Sequence, residues 1–256
     1  MRNIAAIAGR ELRAAFASPV AYIVLGLWAL LFGIFFMSIL QWFVERSMGM
    51  GQFGMGPGPV NINQDLIRYL MQQAAVVMLF LLPALTMRTY AEEKRTGTME
   101  LLLTSPLTDF QILMGKFLGV LAVYVAMLLV TWIHLGILFW YGDPEWRPLL
   151  AAYLGLLLLG ASFISLGLFV SSLTRNQIVA VMGTFAVALA LWIIDWLGEA
   201  GGSTARDVLA YISIIRHFED FARGVIDTKH LVYYLSFITF GLFLTAKSVD
   251  SERWRG

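Results

Sequence analysis

Residues 117–142 read FLGVLAVYVAMLLVTWIHLGILFWYG, 26 consecutive positions without an Asp, Glu, Lys or Arg. An α-helix rises about 1.5 Å per residue, so roughly 20 apolar residues cross the hydrocarbon core of a bilayer. The stretch meets that length, with tilt or trimmed ends taking up the surplus. Its apolar residues run on without alternation, which excludes the strand pattern of a membrane barrel. Five more charge-free stretches lie at 20–44, 69–87, 148–174, 176–194 and 230–246, with lengths of 25, 19, 27, 19 and 17. All 35 Asp, Glu, Lys and Arg residues fall outside the six. Lipid offers no hydrogen-bond partner to an exposed backbone, so each stretch must close its own bonds as a helix. The expected fold is an all-α integral membrane protein with six transmembrane helices, forming a single domain over residues 1–256.

Composition agrees. The 256 residues are 59% hydrophobic and 14% charged, with a mean hydropathy of +0.75, whereas a soluble domain is about half apolar and a quarter charged. A net charge of +1 gives no electrostatic support to a nucleic-acid role. The absence of cysteine excludes disulfides and thiolate metal sites. Residues 1–17 do not read as a secretory signal, because the arginines are dispersed and the apolar run that follows is too long and lacks a small-residue cleavage site.

Six crossings put both termini on one side. That side carries 11 Lys and Arg and the other carries 7. The basic residues nearest the span ends, Arg13, Arg88, Lys116, Arg175 and Lys247, follow the same bias. The positive-inside rule then places both termini in the cytoplasm, and the expected location is the inner (cytoplasmic) membrane.

The segments between spans carry the remaining information. In residues 2–17, Ile4, Ile7, Ala8, Leu12, Ala15 and Phe16 share one helical face, while Arg2, Arg10 and Arg13 lie opposite. Glu11 falls inside the apolar arc. Ser18-Pro19 ends this helix, which is expected to lie in the cytoplasmic interface as an elbow over residues 1–19; the plainer reading is a frayed tail. The first outer loop, Ser47 to Pro59, is rich in Gly, Met and Pro. Met48, Met50 and Met55 are soft ligands for Cu(I), but no His or Cys accompanies them, and a flexible linker is expected.

Residues 88–116, RTYAEEKRTGTMELLLTSPLTDFQILMGK, form the most informative loop. The second span is expected to continue through Glu92, Glu93 and Lys94 until Gly97 interrupts it. Thr98 is placed to cap a short helix over Met99 to Thr104, with Glu100 in its first turn, stopped by Ser105-Pro106. Thr108 and Gln111 have capping-box spacing and start the third span. Leu101, Leu102 and Leu103 stand among charges and require cover, either from this chain's own spans or from a partner. Ser171 to Gln177 reads as a simple polar turn. In the last outer segment, 198–229, Phe218, Phe221, Ala222 and Val225 follow helical spacing with Arg216, Glu219, Asp220 and Arg223 between them. Two short helices lying on or dipping into the outer surface, as a cap, are expected there.

Chemistry-bearing motifs are sparse. There is no G-x-x-x-x-G-K-[ST], since Gly115-Lys116 is followed by Phe117, so ATP hydrolysis in this chain is not expected. H-E-x-x-H and G-x-S-x-G are also missing. The histidines His134, His217 and His230 are far apart in sequence, and His134 lies within a span, where an ionisable residue is a functional candidate or a neutral interhelical bond. Asp195 at the outer end of a span is explained by the interface. No span carries the paired acids of an ion relay.

Several strings resemble the permeases of ABC type-2 transporters. They are 83–88 (PALTMR), Glu92-Glu93-Lys94, 97–104 (GTMELLLT), 176–180 (NQIVA), His217-Phe218 and 223–227 (RGVID). The order of parts also fits, and the chain is most similar to the gliding-motility and nitrous-oxide-reductase-maturation group. The resemblance implies a permease subunit, itself not an enzyme, that exports or extrudes a substrate. ATP and Mg would be bound by a separate ATPase subunit present in two copies, and the permease would pair with a second copy or a sister permease. It further implies that Gly97, Thr98, Glu100, Leu101, Leu102, Leu103 and Pro106 belong to a coupling helix docked on the ATPase, with Glu92 and Glu93 at the same contact. Arg10, Glu11 and Arg13 would form the elbow, and Phe218, Phe221 and Arg223 the cap. Two other readings stand beside transport. One is a mechanotransmitting subunit acting on an outer-facing partner. The other is a scaffold or intramembrane enzyme, for which Thr131, His134, Ser162, Ser165 and Thr184 offer only scattered polar groups. The mostly aliphatic spans weakly favour an amphiphilic cargo.

Overall fold

A computed structural model describes residues 2–48, 60–99, 107–199 and 203–253. The helices in order are α1 (Arg2–Ala17), α2 (Pro19–Ser47), α3 (Arg68–Thr86), α4 (Arg88–Thr96), α5 (Asp109–Tyr141), α6 (Trp146–Leu173), α7 (Gln177–Glu199), α8 (Ser203–Ile212), α9 (Ile214–Ala222) and α10 (Thr228–Arg253), with a π-helical turn, Ile62–Ile67, opening α3. No strand occurs among the described residues. Among the described residues, six helical stretches are long and apolar enough to cross a membrane, Pro19–Ser47, Ile62–Thr96, Asp109–Tyr141, Trp146–Leu173, Gln177–Ile194 and Thr228–Glu252. They coincide with the six charge-free runs, and the molecule is an all-α, multi-pass membrane protein.

Local chemistry sets the helix ends. Ser18 caps α2 by accepting from Val20 N at 3.3 Å, with Pro19 in the first turn. Thr108 and Gln111 form the expected capping box at the start of α5. The second span and its extension are one path with a single-residue break at Met87, whose N–H still donates to Pro83 O at 3.0 Å. Gly97 ends α4 at φ +75°, the left-handed conformation that glycine adopts without strain.

α6 is the centre. In its most apolar window 83% of residues are buried, against 22%, 17% and 22% for α2, α7 and α10, which therefore form the periphery. Small residues let its neighbours come close. A Cβ at Gly160 would lie 2.3 Å from the Tyr124 ring of α5, one at Gly167 would lie 2.1 Å from Thr86 Oγ1 of α3, and one at Gly155 would lie 2.4 Å from Phe221 Cβ of α9. Tyr124 uses the room at Gly160 to donate its hydroxyl to Leu156 O at 2.5 Å. Trp28 of α2 donates to Met127 O of α5 at 2.6 Å, so an indole N–H inside the bundle is satisfied by backbone. The peripheral spans expose apolar side chains such as Leu30, Ile34, Met182 and Phe240, as helices in contact with lipid or another apolar surface do.

His134 packs on α2. Its ring meets Phe32 and Phe36 with centroids 5.4 Å apart in each case, and its Nε2 sits where a Cβ on Gly33 would be 3.2 Å away. Thr131, Ser162, Ser165 and Thr184 each donate to a carbonyl three or four residues back in their own helix. They make no common site.

Candidate functional site

The residues that sequence reading marks around Glu92 and Glu93 converge, through α4, on four other helices. Lys116 is the pivot. It lies immediately before the charge-free run of α5, with its side chain 1% exposed, and its three N–H donors are all used. Nζ donates to Glu93 Oε1 at 2.7 Å, to Thr89 O at 2.8 Å and to Glu11 Oε1 at 3.2 Å, and it stands 5.0 Å from the centre of the Tyr90 ring. Arg10 adds a 3.0 Å contact to Glu11 and a 3.6 Å contact to Glu93. Burying an ammonium is tolerated because carboxylates on two different helices surround it. Glu11, the acidic residue out of place on the apolar face of α1, is one of those two.

α1 reaches Lys116 because Gly115 and Gly119 clear a path. A Cβ on Gly115 would lie 2.5 Å from Ile7 Cβ, and one on Gly119 would lie 2.6 Å from Glu11 Cβ. α1 thus packs along the first turns of α5, where Asn3 also donates to Gln111 at 3.3 Å. Arg13, by contrast, donates to Gly9 O of its own helix at 3.2 Å and stays outside the network.

The rest of α4 is pinned as firmly. Arg88 holds Glu92 through two bonds of 2.6 and 3.0 Å and donates to Ser18 Oγ at 2.6 Å, which ties α4 to the α1–α2 corner. Lys94, with its side chain 4% exposed, donates to Ser172 O of α6 and to Glu252 Oε1 of α10 at 2.8 Å. Ser171 Oγ accepts from both Tyr90 N and Ala91 N at 3.1 Å and donates to Met87 O at 3.0 Å. The segment expected to be a plain polar turn therefore begins with two buried serines that fasten α6 to α4, Ser171 through its hydroxyl and Ser172 through its carbonyl. Sequence gives little sign of this, since a hydroxyl at a helix end ordinarily bonds its own backbone.

A cavity of 360 Å³ opens between α1, the first turn of α2, α3–α4 and α5, lined by charged residues (Arg10, Arg88, Glu92) and apolar ones (Ala15, Leu85, Val123). Beyond α4, Thr98 Oγ1 lies 3.0 Å from Thr96 Oγ1 and 3.5 Å from Glu93 O. The expected coupling residues Glu100, Leu101, Leu102, Leu103 and Pro106 lie outside the described residues, as does most of the 47–59 loop.

On the opposite face, α9 is inserted into the bundle and does not rest on its surface. Phe218 and Phe221 are fully buried, the latter over Gly155 of α6. Tyr233 and Tyr234 of α10 donate to Ile212 O and Ile214 O at 2.7 and 2.8 Å, which satisfies carbonyls at the α8–α9 junction. Val225, expected to extend the buried stripe, is exposed instead. Gly224 ends the helix at φ +86° and turns the chain against Pro148, where a Cβ would meet that ring at 2.5 Å. Arg223 is half-exposed, 3.7 Å from Glu219 and 3.6 Å from Asp220, and its carbonyl accepts from Gln64 at 3.3 Å. Asn63 pairs both ways with the backbone of Glu145, at 2.8 and 3.0 Å. His217 and His230, distant in sequence, are brought into contact here.

No group of three or more His, Cys, Asp or Glu able to hold a metal occurs among the described residues. Among the described residues, the arrangement joins α1, α4, α5, α6 and α10 by ion pairs and hydrogen bonds.

Over 143 residues the chain is 33% identical to the probable multidrug ABC transporter permease YbhR of Escherichia coli (strain K12), and equally to the protein of that name in Escherichia coli O157:H7. The aligned stretch is 55% of this chain and 38% of each relative's length. The family described as ABC-2 family transporter protein matches residues 58–215, which is more than half of the chain and runs from α3 through α8, ending as α9 begins. On that match, this chain belongs to the ABC-2 transporter family.

Proposed function

We propose that this chain is the membrane-spanning permease subunit of an ABC transporter, driven by an ATPase on a separate polypeptide. The observation that carries the reading is the position of α4. It runs directly into the 97–106 segment and is bonded to α1, α5, α6 and α10 through Glu93, Lys116, Ser171 and Lys94. A force applied by an ATPase to that segment would pass through these contacts to most of the spans. In this reading both termini face the cytoplasm and the chain sits in the inner membrane. Two permease subunits, identical or sister, work with two ATPases, and the cargo is exported or extruded. The resemblance to the gliding-motility and nitrous-oxide-reductase-maturation permeases supports the finer placement, the mostly aliphatic spans support an amphiphilic cargo, and the matched relatives are described as probable multidrug permeases.

The insertion of α9 against α6 favours a second reading, in which ATP-driven motion does mechanical work on a partner at the cap. Co-expression with the ABC ATPase encoded nearest to this chain separates the readings. The native chain is expected to co-purify with that ATPase, and replacement of Leu101, Leu102 and Leu103 by Asp is expected to abolish co-purification while leaving the permease folded. Unchanged capture would remove the coupling assignment. In liposomes, stimulation of ATPase by a transported amphiphile supports export, and stimulation only by an external protein supports mechanical work.

A further inference from the structure

The two histidines on the cap face meet in an arrangement that ordinary protonation cannot satisfy. His217 Nε2 lies 2.9 Å from Tyr211 O, His230 Nε2 lies 2.8 Å from Asp220 Oδ2, and the two Nδ1 atoms face each other at 2.6 Å. A carbonyl oxygen only accepts, so His217 must carry its proton on Nε2. An ionised carboxylate only accepts, so His230 must carry one on Nε2 as well. Two neutral rings so arranged would then point two lone pairs at each other across 2.6 Å, which is repulsive. The contact closes only with a third proton between the rings. The total is the same if that proton is drawn on Asp220, because the three groups titrate as one unit. A metal ion does not fit the gap. At about 2.0–2.1 Å from each nitrogen, tetrahedral coordination would hold the nitrogens about 3.3 Å apart.

We propose that His217 and His230 form a proton-binding site, charge-balanced by Asp220, that latches the cap helix α9 to the last span α10 and releases it when the proton leaves. Both rings are buried, at 4% and 6% exposure, and His217 stacks on Tyr233 with centroids 3.7 Å apart. Burial lowers the affinity of His217 for a proton while Asp220 raises it, so the shared proton rests on the geometry of the trio. The charged and titratable neighbours come from α8, α9 and α10. On α9, Asp220 is 3.6 Å from Arg223, Glu219 is 3.7 Å from the same arginine, and Arg216 is itself engaged. In the turn to α10, Lys229 is paired with Asp227 at 3.1 Å. Tyr211 comes from α8, and Tyr233 and Tyr234 from α10. On the α6 side the packing is apolar, Phe218 and Phe221 against Gly155. The bound proton belongs to the closed cap, so the latch is intact at low pH and is lost as pH rises through the apparent pKa of the trio. The site needs only the cap and the last span, so it stands or falls independently of the transport reading.

The experiment uses the full chain in lipid nanodiscs with 15N-labelled histidine. At acidic pH the spectrum is expected to show Nε2–H on both rings and a strongly deshielded proton shared by the Nδ1 atoms, lost on raising the pH. In parallel, hydrogen exchange of residues 214–222, corrected for intrinsic rates, is expected to lose about tenfold protection per pH unit above the transition, as linkage to one proton requires. Asp220→Asn gives the discriminating arm. Its Oδ1 can keep facing Arg223 while its amide donates to His230 Nε2, leaving His230 Nδ1–H to donate to His217 in a neutral chain. This variant is expected to retain cap protection and lose its pH dependence. Neutral rings at every pH, flat protection in the native chain, or a wild-type pH slope in Asp220→Asn would each overturn the proposal. Should Asp220→Asn fail to fold, the native spectrum alone decides.

Discussion

Removing the ammonium of Lys116 tests whether α4 and α1 are held by charge or merely packed. In Lys116→Met the stem is replaced by a side chain of similar length, so packing survives and three donors vanish together. Two carboxylates then lose their cation, with Glu93 19% and Glu11 18% exposed at the side chain. Breaking a buried ion pair from one side costs about 3–5 kcal/mol, and this residual exposure puts the loss near the lower end, about 3 kcal/mol. At roughly 2–4 °C per kcal/mol for a chain of this size, thermal unfolding in detergent should begin ~6–12 °C lower. Packing loss could mimic that drop, so the cycle with Glu93→Gln matters more. In the native background Glu93→Gln should cost about 1 kcal/mol, because an amide oxygen still accepts from Lys116. In the Lys116→Met background it should be neutral or stabilising, since it removes a stranded charge. The two substitutions together should therefore cost about 1–2 kcal/mol less than their sum. Strict additivity would show that the Lys116–Glu93 contact contributes nothing beyond packing, and the account of α4 as an electrostatic junction would fail.

Two further substitutions probe the close approaches that shape the bundle. Gly115→Ala places a methyl 2.5 Å from Ile7 Cβ, so α1 should lift from α5, and limited proteolysis within residues 2–17 should accelerate at least severalfold while the spans stay protected. Gly160→Ala drives a methyl to 2.3 Å from the Tyr124 ring and should cost about 1–3 kcal/mol by overpacking, read as a lower unfolding temperature that Tyr124→Leu in the same chain partly restores.

The spans were legible because desolvating a charge in lipid is so costly that charge-free runs and membrane crossings must coincide. The capping box at Thr108 and the left-handed stop at Gly97 were legible for a similar reason, since each is set by its own neighbours in the chain. The junction at Lys116 was not. Its pieces come from residues 11, 89, 93 and 116, and no spacing rule links them. Two anomalies marked it nonetheless: Glu11 on an apolar face, and a lysine between two glycines four apart. Each has a bland local explanation, and only their meeting in space gives them a shared cause. Ser171 left no trace, because a serine whose hydroxyl fastens a neighbouring helix looks the same in sequence as one that ends its own, and the Ser172 contact uses a backbone carbonyl that every residue has. The cap was half legible. Its helical stripe is present as read, but the depth of insertion depends on Gly155, which no pattern within 198–229 could reveal. The histidine pair required the fold of the α9–α10 turn.

The central position of α6 carries a mechanical corollary. Its 28 residues form a rod of roughly 42 Å, and neighbours are keyed into it at both ends, Ser171 and Ser172 near one tip and Phe221 over Gly155 toward the other. Side chains seated in glycine notches act like teeth in a spline. The rod cannot spin or slide past them without climbing over backbone, so a push at one tip arrives at the other as displacement and is not dissipated as slack.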